Sequence, residues 1–331
     1  MVIRGKESTS REVTSGVPQG SVLGPLLFLI FINDLPTELL SKLSLFADDS
    51  KLFSRIIANK NKLKVNNIDG GRLLQDDLDR VVEWARKWKM EFNVEKCKIM
   101  HLGTNNPKKS YSMGDASLQA TEEEKDLGVL IDQKLDFGKH IRTIVGRANR
   151  VLGMIRVSFA CMNKKMFLNL YTSLVRPLLE YCVQVWSPYK KKYIKLLEGV
   201  QRRATKLVPQ LRDMEYDERL ERLGLTRLVE RRIRGDMIET YKIISGKERV
   251  DPGKFFRMAN FRGRAHPKKI YKKNSRLNIR KYWFTQRVVD KWNGLLPEVV
   301  EANKTSSFKA RYDRNEARRR TEERSNAYVW E

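Results

Sequence analysis

Residues 43–54 read LSLFADDSKLFS, and this stretch decides the fold around it. Residues 43–46 alternate weakly between apolar and polar side chains, which predicts a strand, and residues 51–54 predict the returning strand. An acidic turn that contains Asp48 and Asp49 lies between the two. The pattern therefore predicts a β-hairpin with both carboxylates close to its tip.

Paired carboxylates at a fixed turn indicate a site for a hard divalent cation. Carboxylate oxygens are ligands that Mg²⁺ takes in proteins. Two such ions about 4 Å apart can activate an attacking hydroxyl and neutralise a leaving group. An Asp-Asp pair is equally typical of a solvated turn without function. The apolar flanks of this turn, and a segment with Gly and Pro one helix upstream, favour the cation site.

That upstream segment, residues 15–21, reads SGVPQGS. Gly16 and Gly20 allow the backbone to approach a ligand closely, and Pro18 fixes the chain. Gln19 offers both a donor and an acceptor. The segment suits packing against a base pair or a sugar, although an ordinary structural turn fits the same residues.

The rest of the chain is predicted to be mostly helical from the spacing of its apolar residues. The predicted helices cover residues 22–35, 74–88, 139–158, 163–182, 191–208, 217–245 and 280–296, and the further strands cover 98–102 and 126–132. We expect the first of these helices to be buried. Trp84 and Trp88 lie four residues apart, and we expect both rings in the core.

The charge of the chain points to a polyanionic partner. Lys and Arg number 66 against 40 Asp and Glu, which gives a net charge of +26 over 331 residues. The basic residues recur at helical spacing from Arg142 onward and become denser after Arg227. We therefore expect nucleic acid as the partner. An acidic membrane surface is the main competitor, but no apolar run reaches the length of about 18 residues that predicts a membrane span.

The three cysteines predict neither a disulfide framework nor a metal cluster. Cys97, Cys161 and Cys182 are far apart and form no CxxC pair. Free thiols fit a reducing compartment, so we expect an intracellular protein of the nucleus or cytoplasm. Cys97 and His101 have the spacing of two zinc ligands, but no second pair follows to complete four.

These segments together resemble the reverse transcriptases of non-LTR (LINE-type, jockey-like) retrotransposons. Residues 15–28 and 31–35 are similar to polymerase motif B, and Phe46–Asp49 is similar to motif C. Residues 92–98 resemble motif D, and residues 125–129 resemble motif E, the primer grip. The similarity continues into a helical thumb through Tyr171, Pro177, Tyr181 and Trp186–Pro188, and into the tail through Phe284, Arg287–Val289, Trp292 and Leu296-Pro297. Group II intron maturases and viral RNA polymerases fit this pattern less well.

The resemblance implies an α+β fold in three parts. These are a truncated right-hand polymerase palm over residues 1–135, an all-helical thumb over 136–246 and a basic helical C-terminal extension over 247–331. It implies an RNA-directed DNA polymerase that uses an RNA template, a DNA primer, deoxynucleoside triphosphates and Mg²⁺, with no membrane partner. A non-catalytic protein that binds RNA or an RNA–DNA hybrid is the alternative.

The resemblance also implies roles for individual residues. Asp48 and Asp49 would be the metal ligands and catalytic carboxylates, and Lys96 would be the acid for pyrophosphate. Lys98 is the rival for that role, and an ordinary surface lysine is the alternative. The residues implied to contact the nucleotide or template are Pro18, Gln19, Gly20, Phe46 and Ala47. The residues implied to hold the primer are Leu127, Gly128 and Val129.

One carboxylate of the family pattern has no counterpart in the sequence. The first catalytic Asp of these enzymes lies in motif A, upstream of motif B, whereas Asp34, Asp69 and Asp76 come too late to replace it. Two carboxylates without a third should bind Mg²⁺ weakly. We therefore expect a C-terminal fragment that is inactive alone, with a chain that supplies motif A as a candidate partner. The exposed sheet edge left by such a truncation predicts poor solubility.

Overall fold

The computed structural model describes residues 2–3, 6–7, 20–56, 70–103, 105–159, 161–259 and 266–327. Helices and small sheets are mixed, so the predicted α+β class is confirmed. The chain divides into two compact units, Met1–Glu123 and Glu124–Glu331, which we call the N-terminal unit and the C-terminal unit. The finer division into palm, thumb and extension stays a prediction.

In the part of the N-terminal unit that the structure describes, short strands accompany two α-helices and short 3₁₀ turns. Its elements are β1 (Val2–Ile3), β2 (Lys6–Glu7), α1 (Leu23–Ile32), β3 (Lys42–Phe46), β4 (Asp49–Phe53), α2 (Gly70–Lys87), β5 (Lys98–Met100), β6 (Ser112–Met113), β7 (Ala116–Ser117) and β8 (Gln119–Thr121). The pairs β1–β2, β3–β4 and β6–β7 are antiparallel, and β5–β8 is parallel. Within the described residues each pair is a separate two-stranded sheet.

Helix α2 organises the core of the N-terminal unit. Its apolar residues recur at helical spacing, and Leu74, Leu78, Val81 and Trp84 are all buried. The apolar side of the β3–β4 hairpin packs against this cluster. The predicted helix at 74–88 is therefore confirmed, and it begins one turn earlier, at Gly70.

A buried carboxylate fixes α2 to the segment before β3. The Asp77 side chain is fully buried and accepts hydrogen bonds from the backbone N–H of Leu40 (3.0 Å) and of Ser41 (2.5 Å). Arg80 forms an ion pair with it at 2.9 Å. Burial raises the pKa of Asp77, but the hydrogen bonds and the charge of Arg80 outweigh burial and hold the pKa below its ordinary value. Asp77 thus positions the start of the acidic hairpin.

The C-terminal unit is dominated by helices. Its elements are β9 (Glu123–Asp126), which begins at the unit boundary, β10 (Val129–Asp132), α3 (Gly138–Ser158), α4 (Lys164–Leu170), α5 (Arg176–Glu180), α6 (Val183–Trp186), α7 (Lys191–Thr205), α8 (Tyr216–Leu223), α9 (Leu228–Ile244), α10 (Pro252–Phe255), α11 (Asn278–Lys281), α12 (Phe284–Arg287), α13 (Val289–Asn293), α14 (Pro297–Val300) and α15 (Thr305–Ala327). Among the described helices, none has the length and apolar character needed to cross a bilayer.

Two buried clusters hold the C-terminal unit together. The first joins α3, the run α4–α5 and α7, with Ile141, Leu179 and Leu197 inaccessible to solvent. The second joins α9 to the helices that follow residue 284, with Trp292 and Phe308 at its centre. Each cluster draws on several helices, so both halves of this unit have a core of their own.

Three local predictions for the C-terminal unit are wrong. The single helix predicted over 217–245 is two helices, α8 and α9, because Gly224 adopts a left-handed φ of 68° and ends the first one. The helix predicted over 280–296 is three short helices instead. The strand predicted over 126–132 is a hairpin, β9–β10, whose turn is Leu127-Gly128.

A buried ion pair connects α12 to α9 and α6. The Arg287 guanidinium donates to both oxygens of Asp236, at 2.8 and 2.9 Å. It also donates to the carbonyl oxygens of Val183 (3.2 Å) and Gln184 (3.1 Å). Burial raises the pKa of Asp236 although Arg287 opposes that shift. Arg287 therefore satisfies polar groups from two other helices at once.

Candidate functional site

The acidic pair lies at the tip of the β3–β4 hairpin. Phe46 pairs with Asp49 at the last step of the ladder, so Ala47 and Asp48 alone form the turn. Ala47 has a φ of 50°, which matches the positive φ that favoured two-residue hairpin turns require at their first central position. The predicted hairpin is confirmed, with Asp49 as the first residue of the returning strand.

The pleat of the hairpin decides which side chains face solvent. Successive side chains of a strand point to opposite faces, and Leu43, Leu45 and Leu52 pack against the cluster around α2. Asp49 therefore shares the outer face with Phe46, whose side chain is 60% exposed. Two exposed carboxylates and one aromatic ring are thus available to a ligand at the tip.

The fit of this tip to Mg²⁺ is partial. Mg²⁺ is commonly bound by one or two carboxylates, with water and substrate phosphates completing six ligands. Asp48 and Asp49 can supply those two. In the described part of the chain, however, no three His, Cys, Asp or Glu side chains gather as a metal site, at this hairpin or beside Cys97 and His101.

The glycine predicted to contact the nucleotide lies just before α1. Gly20 is exposed and has a φ of 83°, which side chains other than glycine rarely adopt. A Cβ at this position would meet no atom within 4 Å, so the backbone conformation and not crowding requires glycine. Pro18 and Gln19, predicted for the same contact, lie outside the described residues.

Helix α1 is exposed, so the prediction of a buried helix is wrong. Gly24 and Ile32 are its buried residues, while Leu26 and Ile30 are 53% and 67% exposed. The second half of the helix reaches the cluster around α2, with Ile32 inside the cluster and Phe28 and Phe31 packed against it. Helix α1 lies between the Gly20 turn and the acidic hairpin in the sequence, and it therefore exposes apolar side chains next to both in the chain.

The two tryptophans of α2 differ in burial. Trp84 is buried, and its indole N–H donates to Asp34 at 2.9 Å. Phe31 lies edge-on to both Trp84 and Trp88, with ring centroids 5.6 and 5.3 Å apart. The core prediction is confirmed for Trp84 and wrong for Trp88, which is 40% exposed.

Of the two candidate acids for pyrophosphate, Lys96 has the freer side chain. It is exposed at the end of the 3₁₀ turn Val94–Lys96, whose cap is the Asn93 side chain, 3.2 Å from the Lys96 backbone nitrogen. The Lys98 ammonium instead donates to Gln119 at 2.5 Å, across the parallel pair β5–β8. This contact favours Lys96 over its rival.

The residues predicted to hold the primer divide into a turn and a core position. Leu127 and Gly128 form the β9–β10 turn with φ values of 43° and 87°, and Leu127 is 42% exposed. Val129 is buried. The Tyr181 hydroxyl donates to the Leu127 carbonyl at 2.8 Å, and a Cβ at Gly128 would lie 3.3 Å from the Tyr181 ring. Tyr181 therefore fixes an exposed apolar side chain in a strained backbone conformation.

Two aromatic side chains, His140 and Trp186, hold the residues around this turn in place through hydrogen bonds. His140 accepts a hydrogen bond from the Leu130 N–H at 3.2 Å, and burial lowers the pKa of His140 to about 4, so the ring is neutral. The Trp186 indole donates to the Tyr181 carbonyl at 2.7 Å and lies edge-on to His140. Sequence reasoning missed His140, because a single histidine on an apolar helix face carries no local signal.

Comparison with protein families identifies what these residues belong to. Residues 1–136, which include the acidic hairpin and the β9–β10 turn, match the family described as reverse transcriptase (RNA-dependent DNA polymerase). The chain is 27% identical over 245 residues, 67% of its length, to the RNA-directed DNA polymerase from mobile element jockey of Drosophila melanogaster. Residues 1–136 are a reverse-transcriptase domain of the jockey-like, non-LTR class.

Other relatives agree with this assignment. The jockey polymerase of Drosophila funebris is 28% identical over 235 residues, 66% of the chain and 25% of that protein. The retrovirus-related Pol polyprotein from type-1 retrotransposable element R1 of Bradysia coprophila is 26% identical over 189 residues, 53% of the chain and 18% of that protein. The chain spans about a quarter of the length of the two jockey proteins. No solved structure matches it.

A basic surface follows the reverse-transcriptase domain, on helices α3 and α7. Helix α3 contains no Asp or Glu, and all five of its Lys and Arg side chains are exposed. Helix α7 has five exposed basic side chains, and its single acid, Glu198, is buried. The ten exposed cations are Lys139, Arg142, Arg147, Arg150, Arg156, Lys191, Lys192, Lys195, Arg202 and Arg203.

The two basic helices are neighbours in the first buried cluster. The Arg203 guanidinium donates to Asn149 of α3 at 3.0 Å. Because neither helix has an exposed acid of its own, their exposed faces attract polyanions. The predicted basic spacing from Arg142 onward therefore corresponds to exposed cations on two neighbouring helices.

Proposed function

We propose that the chain is part of an RNA-directed DNA polymerase of a non-LTR retrotransposon and works on an RNA template with a DNA primer. The observation that carries this proposal is the exposed Asp48–Asp49 pair at a two-residue hairpin tip, inside the residues that match the reverse-transcriptase family. The N-terminal unit then corresponds to part of the polymerase palm, and the first helices of the C-terminal unit correspond to the thumb.

In this proposal the hairpin tip is the metal-binding end of the site. Asp48 and Asp49 would hold Mg²⁺, which when bound supplies positive charge beside the phosphates of the nucleotide. Phe46 and Ala47 would line the primer terminus. The outer face shared by Phe46 and Asp49 supports this arrangement, because a base and a phosphate can then be contacted from the same side.

The other predicted residues take supporting roles. Gly20 would allow the backbone to approach the nucleotide, together with Pro18 and Gln19. Lys96 would donate a proton to the departing pyrophosphate, since its ammonium is exposed. Leu127 and Gly128 would hold the primer strand through the exposed turn that Tyr181 fixes, with Val129 anchoring that turn in the core.

The described residues bring two carboxylates to the hairpin and no third. We therefore propose that these two carboxylates alone bind Mg²⁺ weakly and support little nucleotide incorporation, and that the motif A carboxylate, supplied from outside the described residues, completes the site. The free thiols of all three cysteines support a reducing nuclear or cytoplasmic setting for this work.

Primer extension tests this proposal. The chain is incubated with an oligo(dT) primer on poly(rA), dTTP and Mg²⁺, with and without a polypeptide that carries motif A. We expect background incorporation from the chain alone and incorporation from the mixture, abolished by Asp48→Ala and kept by Lys309→Gln on α15. Strong incorporation by the chain alone would contradict the incomplete site. Incorporation insensitive to Asp48→Ala would contradict the site itself.

The α3–α7 surface favours a second candidate, a protein that binds RNA or an RNA–DNA hybrid without chemistry. Both candidates predict affinity that falls steeply with salt. They differ in their response to nucleotide. With the polypeptide that carries motif A present, thermal stabilisation by dTTP plus Mg²⁺ that is lost in Asp49→Ala supports the polymerase, and its absence with wild-type Asp49 supports the binding protein.

A further inference from the structure

The C-terminal unit contains an open groove far along the chain from the acidic hairpin. Its volume is about 610 Å³, inside the range of about 300–1,000 Å³ typical of ligand sites. It is formed by α10, by the antiparallel bridge Met258–Ile270 and by α12. The match to the reverse-transcriptase family ends at residue 136, so no role is assigned to this groove by that match.

The rim of the groove is strongly basic. Lys254, Arg257, Lys273 and Arg280 line it, all four are exposed, and none forms an ion pair with another described residue. The acids that line it, Glu239 and Glu248, both contact the single ammonium of Lys242, at 3.4 and 2.7 Å. Counted together, the groove and Lys242 hold five cations against two acids, so the rim keeps an excess of positive charge.

Aromatic rings are exposed between these cations. Phe255 and Tyr271 are 38% and 48% exposed, and the Arg257 guanidinium lies 5.1 Å from the centre of the Tyr271 ring. The half-buried Trp283 lines the same groove. An exposed phenylalanine ring makes no hydrogen bond to water and is stabilised when another surface covers it. A ligand with a flat ring that stacks on these side chains would provide that cover.

The backbone that carries the rim is held in place. Asn293 accepts from the Ile270 N–H at 2.9 Å and donates to the Ile270 carbonyl at 2.8 Å. The Tyr271 N–H donates to the Arg257 carbonyl at 2.7 Å. Buried Phe256 and Phe284 form the apolar floor. A ligand would therefore meet a preformed site and would not have to order it.

We propose that this groove binds a single-stranded segment of nucleic acid. Cations spread along a rim neutralise successive phosphates, and exposed rings stack on unpaired bases. A duplex hides its bases, so it could use the cations but not the rings. An acidic peptide likewise has no planar group to stack on Phe255 and Tyr271.

Binding of labelled oligonucleotides to the full chain tests the groove. Fluorescence anisotropy is measured with 12-nucleotide oligo(rU), 12-nucleotide oligo(dT) and a 12-base-pair RNA–DNA hybrid. We expect Phe255→Ala/Tyr271→Ala to weaken both single strands by about fivefold or more, the equivalent of one lost base stack of about 1 kcal/mol. Hybrid binding should change by less than about twofold, because the hybrid does not use the rings. Leu277→Ala, an exposed apolar residue that does not line the groove, is the matched control and should change neither.

Charge neutralisation tests the rim separately. In Lys254→Gln/Arg280→Gln we expect the slope of log affinity against log salt for oligo(rU) to fall by about 1.4, or about 0.7 for each lost phosphate contact. Lys309→Gln/Arg314→Gln removes two exposed cations of α15 and should leave that slope within about 0.3. Equal slopes for the two variants would overturn the assignment of phosphate contacts to the rim.

Ultraviolet cross-linking locates the bound strand. We expect the peptides that contain Phe255 and Tyr271 to cross-link to oligo(rU) or oligo(dT), and the stronger of the two identifies the natural strand as RNA or DNA. The proposal would be overturned by cross-links confined to α3 and α7. It would also be overturned by an unchanged affinity of Phe255→Ala/Tyr271→Ala for the single strands, or by full displacement of the oligonucleotide by an acidic peptide. None of these measurements uses catalysis, so a failure of primer extension leaves this inference standing.

Discussion

The two units of the chain differ in how completely their main apolar segments are buried. In the N-terminal unit, α1 turns Leu26 and Ile30 toward solvent, and the hairpin exposes Phe46. In the C-terminal unit, two clusters bury rings and aliphatic side chains completely, with Trp292 and Phe308 at 0% exposure. The contrast teaches that the C-terminal unit satisfies its own packing, whereas the described N-terminal unit leaves surface that suits further contacts.

The largest effect should come from the core of the C-terminal unit. Trp292→Ala is expected to lower the free energy of unfolding by about 3–5 kcal/mol, because it opens a cavity and removes the indole hydrogen bond to Lys268. Leu26→Ala on α1 should stay within about 0.5 kcal/mol, because its side chain is half exposed. Urea unfolding followed by circular dichroism compares the two. Similar losses would break the contrast between the units.

The buried ion pair should give the next largest effect. Arg287→Met leaves Asp236 as an unpaired buried carboxylate, and we expect a loss of about 3–5 kcal/mol at neutral pH. Because burial raises the pKa of Asp236, its protonated form favours the folded state at low pH, and that advantage is lost as pH rises through the folded pKa.

The defect of Arg287→Met should therefore shrink as pH is lowered, which urea unfolding at several pH values measures. Arg232→Met is the variant to compare with Arg287→Met, because Arg232 is also a buried arginine close to Asp236. Both terminal nitrogens of the Arg232 guanidinium lack a hydrogen-bond partner, and burial lowers the pKa of Arg232 to about 10. That variant should lose less stability than Arg287→Met, because Asp236 keeps both hydrogen bonds from Arg287. A defect of Arg287→Met that is the same at every pH would contradict the account of Asp236.

A smaller effect is expected from the one deeply buried carboxylate that anchors α2. Asp77→Ala should cost about 2–3 kcal/mol, because the N–H groups of Leu40 and Ser41 lose a charged acceptor. The pKa of Asp77 is lowered in the folded state, so its contribution is present above about pH 3.9 and is lost as pH falls through the folded value. Unfolding of wild type and Asp77→Asn at several pH values should converge in acid, and a gap that widens there would refute the assignment.

The smallest change in stability should accompany a visible change in solubility. Leu26→Gln/Ile30→Gln removes two exposed apolar side chains from one helix, so the free energy of unfolding should move by less than about 0.5 kcal/mol. The soluble fraction after expression should rise, because an exposed apolar patch favours association. Leu277→Gln, an exposed leucine of the C-terminal unit, is the control. Equal solubility of the wild type, Leu26→Gln/Ile30→Gln and Leu277→Gln would mean that the exposed side chains of α1 do not cause association.

Local signals in the sequence predicted part of this fold. The helical spacing of Leu74, Leu78 and Val81 predicted α2, and the alternating flanks of Asp48 predicted the hairpin, because both patterns arise between near neighbours. The spacing could not predict the break at Gly224, since the same apolar period continues on both sides of it. Burial of α1 was predicted from hydrophobicity alone, which says nothing about the partner that must cover it.

The candidate site shows the same division. Asp48, Asp49 and Lys96 were found through a motif, but the motif does not say that Lys98 is held by Gln119 while Lys96 is free of such a contact. The supports of the β9–β10 turn, such as His140, come from distant parts of the chain. Contacts between residues far apart in sequence carry no local period, so only the folded structure brings them together.

Metal-directed cleavage tests the central claim, that Asp48 and Asp49 at the hairpin tip are the metal ligands, most directly. Fe²⁺ is bound in place of Mg²⁺ in the presence of a template–primer and nucleotide, and ascorbate and peroxide then cut the backbone near the metal. We predict cleavage concentrated around residues 46–50, competed by Mg²⁺ and lost in Asp48→Ala/Asp49→Ala. Cleavage elsewhere, or cleavage at the hairpin that persists without both carboxylates, would contradict the account.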